Sequence, residues 1–234
     1  HLGEELAKQE TVPLGDDTIV VPVPDTSKAA ADGMAYALKI PCLEGLIRNR
    51  YSGRTFIEGA EYRRRKAETK YTPLTEVLEG KRIFLVEDSI VRSTTMRVLI
   101  DRIRRIGLVK EIHIRVACPP IIAPCFYGVD MSTFRDIYAT NFYHSRHPVP
   151  AETEPSLQIV QNMNFTKELR DQMAADFGAD SVNFLTMDAV SRAIGLELDH
   201  LCTACASAKY PSPCAQESGL EAYRNFLKQQ QKSS

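Results

Sequence analysis

The sequence predicts an α/β protein built on a mainly parallel sheet flanked by helices. Two observations point there. A strand–turn–helix pattern occurs twice, and the short β-branched runs are separated by helical stretches of about ten or more residues, the spacing of right-handed βαβ units.

Taken in order, Leu2-Gly3-Glu4-Glu5-Leu6-Ala7 reads as the inside of a helix, so a chain that opens on His1 reads as a piece of a longer protein. Thr18-Ile19-Val20-Val21-Pro22-Val23 reads as a buried strand. Pro24-Asp25-Thr26-Ser27 is then a turn, with Thr26 or Ser27 near the N-cap of an alanine-rich helix over 28–38. Residues 48–70 are polar and basic, and part of this stretch is expected to form a hairpin or flap. Arg82-Ile83-Phe84-Leu85-Val86 repeats the strand, running through Glu87-Asp88-Ser89 into a helix over 94–106 with Gly107 as its C-cap. A third strand covers 111–117 and stops at Pro119-Pro120. Residues 140–155, rich in His, Pro and polar side chains, are expected to be a surface loop. Helical spacing returns over 166–177, a strand over 181–185, a short helix over 187–194 and an amphipathic terminal helix over 219–228. This divides the chain into residues 1–195 and a cysteine-containing extension, 196–234.

Composition narrows the partners. The 234 residues carry 29 Lys+Arg and 30 Asp+Glu, a net charge of −1, which argues against a chain built mainly to coat nucleic acid or an anionic membrane. Hydrophobic residues at 44% and charged ones at 25% are the proportions of a packed globular domain. No uncharged apolar window reaches the ~18 residues of a membrane span, and the first residues lack the order of a signal peptide. A cytoplasmic protein is expected. Three of the six cysteines, Cys202, Cys205 and Cys214, fall within 13 positions; without an export signal, such clustering suggests metal binding before disulfides.

The chemistry concentrates in Ile83-Phe84-Leu85-Val86-Glu87-Asp88-Ser89-Ile90-Val91-Arg92-Ser93-Thr94-Thr95. An apolar strand ends in two acids, and small hydroxyl residues lead into a helix, which places the polar groups at the carboxyl edge of a parallel sheet, where ligands of open α/β sheets bind. Hydroxyls, backbone N–H groups and a helix N-terminus form a cradle for a phosphate monoester. Glu87 and Asp88 would repel that phosphate, and fit instead ribose hydroxyls, a hydrated Mg²⁺ or developing positive charge on a sugar. Acids for a sugar beside a nest for its phosphate describe a ribose-5-phosphate site.

This segment resembles the phosphoribosyl pyrophosphate (PRPP) loop of type I phosphoribosyltransferases, in the form typical of the glutamine PRPP amidotransferase family. Val23-Pro24-Asp25-Thr26-Ser27 resembles that family's pyrophosphate loop, and Arg48-Asn49-Arg50-Tyr51-Ser52-Gly53-Arg54-Thr55-Phe56-Ile57 its flexible loop. Pro124-Cys125-Phe126-Tyr127-Gly128-Val129-Asp130, Phe177-Gly178-Ala179-Asp180-Ser181 and Cys202-Thr203-Ala204-Cys205 with Lys209-Tyr210-Pro211 are further similar signatures. The resemblance implies a type I phosphoribosyltransferase fold with a flexible flap and a helical C-terminal extension. It implies Mg-dependent displacement of pyrophosphate from PRPP by ammonia, drawn from glutamine in the complete enzyme, to give 5-phosphoribosylamine, the first step of purine synthesis. The alternative is a non-catalytic PRPP- or nucleotide-binding paralogue.

Carried over residue by residue, Thr26, Glu87 and Asp88 match Mg²⁺ positions, Ser89, Arg92, Ser93, Thr94 and Thr95 the 5-phosphate cradle, and Asp25 and Ser27 stand beside the pyrophosphate. Arg50, Arg54 and Lys70 are the cations expected on the leaving group, whereas Arg63, Arg64 and Arg65 read equally well as a solvated face. Glu87 stands where the family usually has Asp, and Ser93 where it usually has Gly, a cost if the glycine is needed for positive φ or for close backbone approach. Cys125, Cys202 and Cys205 match three ligands of the 4Fe-4S cluster that some members carry, the fourth coming from a preceding glutaminase domain; Cys214 or Cys118 could substitute, or zinc could use the thiols. Cys42 and Cys118 read as core residues. The resemblance further implies a glutaminase domain upstream in the parent protein and a homo-oligomer.

Overall fold

The computed structural model describes residues 1–49, 69–131 and 133–233, with side chains through residue 231. Arg50, Arg54, Arg63, Arg64 and Arg65 therefore lie outside the described residues. A four-stranded parallel sheet runs in the order β1 (Thr18–Pro22), β4 (Arg82–Glu87), β5 (Glu111–Val116), β6 (Ser181–Phe184). A separate antiparallel pair, β2 (Leu46–Arg48) and β3 (Tyr71–Pro73), brackets the basic stretch.

Strand alternation sends side chains to two faces. Ile19, Val21, Ile83, Leu85, Ile112, Ile114 and Val116 meet Met96, Leu99, Ile100 and Ile103 of α4 (Ser93–Gly107) and Leu169, Met173 and Phe177 of α7 (Lys167–Phe177). On the other face Val20, Phe84 and Val86 meet Leu6 of α1 (Leu2–Lys8), Ala31, Met34 and Ala35 of α2 (Lys28–Leu38) and Ala189 of α8 (Met187–Ile194). Both faces are covered, which is why these strands read as continuous apolar runs. Helices α1 and α2 cross closely at two glycines, Gly3 and Gly33: a Cβ on Gly3 would collide with the Ala30 carbonyl oxygen.

Three expectations are corrected. Gly107 is the last helical residue, and the left-handed cap falls on Leu108 at φ 52°. Gly107 serves contact instead, since a Cβ there would lie 2.8 Å from Leu78 Cδ1, at the side of α3 (Thr75–Leu78). The expected loop at 140–155 begins as helix α5 (Tyr138–His144), with Thr140, Phe142 and His144 buried. Its Tyr138/Phe142 spacing was masked by residues of low helix propensity. The terminal helix α10 runs over Pro213–Ser233, longer than expected, with Pro213 at its first position, where a missing N–H costs nothing. Ala204 of α9 (Ala204–Ser207) and Tyr223, Phe226 and Leu227 of α10 share a second core with Ile122, Ala123, Phe134 and with Leu157 and Val160 of α6 (Leu157–Gln161).

Candidate functional site

The loops after β1 and β4 lie side by side because those strands are neighbours, paired Pro22 to Val86. Between them and the start of α4 opens a cavity of about 320 Å³ lined by Thr26, Lys70, Tyr71, Glu87, Asp88, Ser89, Arg92 and Thr95. Residues from three separated stretches of sequence thus meet at the carboxyl edge of the sheet, as expected of an open α/β fold.

Each member has a local cause. Glu87 ends β4, and its Oε1 accepts the Asp88 backbone N–H at 3.1 Å. Burial, reinforced by the adjacent Asp88 carboxylate, pushes the Glu87 carboxyl well above the usual range. The Ser89 hydroxyl donates to Asp88 Oδ1 at 3.3 Å. Arg92 is the extended residue before α4 and reaches Asp136 Oδ1 at 3.5 Å. The first turn of a fifteen-residue helix such as α4 offers unsatisfied backbone N–H groups and a positive dipole end to an anion. Lys70 precedes β3; burial lowers its ammonium, with the Glu87 and Asp88 carboxylates opposing that shift and Arg48 adding to it.

The candidate residues divide accordingly. Thr26, Lys70, Glu87, Asp88, Ser89, Arg92 and Thr95 come together around the cavity. Ser93 and Thr94 open α4, Thr94 exposed. Ser93 has ordinary helical backbone, and among the described residues positive φ at non-glycine positions falls elsewhere, at Lys39, Leu108 and Ala208. The cost expected of replacing Gly at position 93 does not arise from left-handed backbone. Ser27 is fully buried and its hydroxyl donates to the Val23 carbonyl, turned away from the cavity; it holds the N-cap position of α2 without a side-chain cap. Asp25 follows a cis Pro24–Asp25 peptide and its carboxylate accepts Arg48 Nη1 at 2.7 Å. Sequence reasoning did not single out Arg48, and Tyr71 had no signal beyond its place beside Lys70.

The cysteines form a looser group. Cys118, Cys125 and Cys205 pack around Ile121, Met131 and Ile137, and the Cys205 carbonyl accepts the backbone N–H of Ile122 at 2.8 Å and of Ala123 at 3.0 Å. Burial, then the proximity of Cys125, raises the Cys205 thiol; burial raises Cys118 to about 12. Cys202 and Cys214 are exposed. Among the described residues no three His, Cys, Asp or Glu side chains converge as a metal-ligating group. The thiols in place do not make a complete set for an iron–sulfur cluster. The acid pair differs, because Mg²⁺ needs only one or two carboxylates, with waters and phosphate oxygens completing its shell; Glu87, Asp88 and the Thr26 hydroxyl suit that donor set.

Fold and cavity together define a phosphoribosyltransferase-type α/β protein. No family model matches the chain. It is 38% identical over 213 residues to the amidophosphoribosyltransferase of Methanocaldococcus jannaschii, covering 91% of this chain and 38% of that one. With the amidophosphoribosyltransferase of Methanothermobacter thermautotrophicus it shares 39% identity over 227 residues, 96% of this chain and 42% of that one. Among solved structures, the glutamine PRPP amidotransferase of B. subtilis complexed with ADP and GMP superposes with a TM-score of 0.65 at 34% identity, covering 90% of this chain and 41% of that one. A structure described as the allosteric regulatory enzyme of purine biosynthesis gives 0.68 at 32% identity, covering 95% and 43%. The chain spans about two fifths of the length of the curated relatives it matches. Over about nine tenths or more of its length it is similar to one part, the phosphoribosyltransferase half, of amidophosphoribosyltransferases.

No helix among the described residues is long and apolar enough to cross a membrane.

Proposed function

We propose that this chain is the transferase half of an amidophosphoribosyltransferase, displacing pyrophosphate from C1 of PRPP with ammonia to give 5-phosphoribosylamine. One observation carries the reading: the Glu87–Asp88 pair lines one cavity together with Thr26, Lys70 and, from the start of α4, Arg92 and Thr95. A sugar phosphate needs that division, acids for the ribose and N–H groups for the phosphate.

The chain's own residues then act by position and charge. The α4 N-terminus, with the hydroxyls of Ser89, Ser93, Thr94 and Thr95 and the Arg92 guanidinium, binds the 5-phosphate. Asp88 and Glu87 face the ribose hydroxyls and stabilise the positive charge that grows on the sugar as the C1–O bond to pyrophosphate breaks. Lys70, with Arg50 and Arg54, neutralises the departing pyrophosphate, whose loop is residues 23–27. Magnesium, held by Glu87, Asp88 and Thr26, would supply further charge neutralisation on the pyrophosphate. No protein nucleophile is required. In the parent protein a glutaminase domain would supply the ammonia, within a cytoplasmic homo-oligomer. The 4Fe-4S assignment to Cys125, Cys202 and Cys205 rests on resemblance alone, and no step depends on it.

The test is ammonia-dependent pyrophosphate release from PRPP and Mg²⁺. Turnover that rises with ammonia and vanishes without PRPP supports the enzyme. PRPP binding without turnover would favour the non-catalytic paralogue.

A further inference from the structure

We propose that Arg48 is a pyrophosphate-binding cation that Asp25 holds in reserve while the site is empty. The inference rests on the functional reading above and adds to it a residue and an exchange.

Arg48 is the last residue of β2, in register with Tyr71 of β3, and the Asn49 N–H donates to the Lys70 carbonyl at 2.8 Å, so the pairing continues past it. Its backbone is therefore fixed beside two residues, Lys70 and Tyr71, that line the cavity. Its guanidinium crosses to the loop between β1 and α2 and closes on Asp25 Oδ2 at 2.7 Å. Asp25 directly precedes Thr26, another lining residue. The pair thus ties the strand pairing beside Lys70 and Tyr71 to the loop that carries Thr26, the loop assigned to pyrophosphate.

An ion pair this exposed, with side chains at 38% and 62%, contributes little to stability. Its position is better explained by what it withholds. A guanidinium presents a planar fork that matches phosphate oxygens in two-point contact, and a pyrophosphate carries more charge than one carboxylate. When pyrophosphate occupies the loop at 23–27, the Arg48 fork leaves Asp25 for it, and Asp25 is freed toward solvent. The bound group gains a cation while the pair's own attraction is lost, so Asp25 tunes how tightly the product is held.

The experiment is calorimetric binding of magnesium pyrophosphate to the full chain and to Arg48→Ala, Arg48→Lys, Asp25→Asn and the Arg48→Ala/Asp25→Asn double variant, with thermal melts confirming folding. Losing a charge-assisted contact predicts ~10-fold weaker binding for Arg48→Ala, with partial recovery in Arg48→Lys. Because the pair exists only in the free protein, Asp25→Asn should favour binding at least ~3-fold more when Arg48 is present than when it is Ala, the signature of a coupling broken by the ligand. Equal effects of Asp25→Asn in both backgrounds, or unchanged affinity in Arg48→Ala, overturn the exchange. Failure of the unsubstituted chain to bind either magnesium pyrophosphate or PRPP overturns the functional reading beneath it.

Discussion

The Arg115 guanidinium and the Glu10 carboxylate form a two-point ion pair, Nε to Oε2 at 2.6 Å and Nη2 to Oε1 at 2.9 Å, with both side chains at least 97% removed from solvent. Arg115 lies on β5, stacked 5.2 Å from the centre of the Phe84 ring, and its Nη1 also donates to the Ile114 carbonyl and the Ser181 hydroxyl, each at 2.9 Å. Through this pair, and through Glu5 with Arg192 on α8 at 2.7 Å, the residues before β1 are fastened across the sheet.

Breaking the pair from one side leaves a buried charge uncompensated. Glu10→Gln and Arg115→Met are each expected to lower unfolding stability by ~3–5 kcal/mol, read from denaturant midpoints. A combined Glu10→Gln/Arg115→Met variant should lose less than the sum, because neither charge remains. Additive losses in that cycle would show that the two groups do not act as a unit.

Acid stability follows from the same sheet. For Glu10, burial raises the carboxyl, but the Arg115 hydrogen bond and charge outweigh it and the net shift is downward. The Arg82 hydrogen bond chiefly, with His113 adding, pulls Glu111 down to about 2. A carboxyl lowered in the folded state contributes stability that is complete above its unfolded value and disappears as pH falls through the folded one. Denaturation midpoints should therefore decline between 4.5 and about 2, and Glu111→Gln should flatten that decline. An unchanged acid limb in Glu111→Gln would remove the assignment.

Gly107 and Leu108 should respond to substitution with opposite signs. A Cβ at 107 meets buried Leu78 at 2.8 Å, so Gly107→Ala is expected to destabilise by ~1–3 kcal/mol through overpacking. Leu108 is half exposed in left-handed backbone at φ 52°, so Leu108→Gly should gain ~1 kcal/mol. Thermal melts of the two variants decide it.

The Tyr223 hydroxyl and His144 Nε2 lie 3.2 Å apart inside the second core, while His144 Nδ1 is buried without a hydrogen-bond partner. Tyr223→Phe would strip the imidazole of this contact and is expected to cost ~1–3 kcal/mol. The loss should appear in the global unfolding transition. A separate, earlier melting of residues 196–234 would show instead that the extension is an independent unit.

At the site, Asp88→Asn is expected to lower the ammonia-dependent turnover by ~10²–10³ with the fold unchanged by circular dichroism. Ser93→Gly should not improve PRPP binding, since Ser93 already has helical backbone. It should instead weaken the start of α4 by ~0.5–1 kcal/mol. Tighter PRPP binding in Ser93→Gly would mean that close approach of the backbone, not its φ, is what the glycine provides.

The sequence by itself determined the elements whose patterns are local. The runs at 18–23 and 82–86 read as buried strands and become β1 and β4, and the helical stretches at 166–177 and 187–194 become α7 and α8, where the structure adds the caps Thr166 and Thr186, accepting the N–H of Leu169 and Ala189. It also placed Glu87, Asp88 and the hydroxyl run at the edge of a parallel sheet, because strand-to-helix order alone sets that. Tertiary structure decided what depends on a partner distant in the chain. Whether Gly107 caps a helix or admits Leu78, whether Tyr138 to His144 is loop or buried helix, and whether Ser27 faces ligand or core are choices made by packing, which local propensity does not encode. The same holds for Arg48 and Asp25: 23 residues separate them, and only the pairing of β2 with β3 beside the β1–α2 loop brings that cation to that acid.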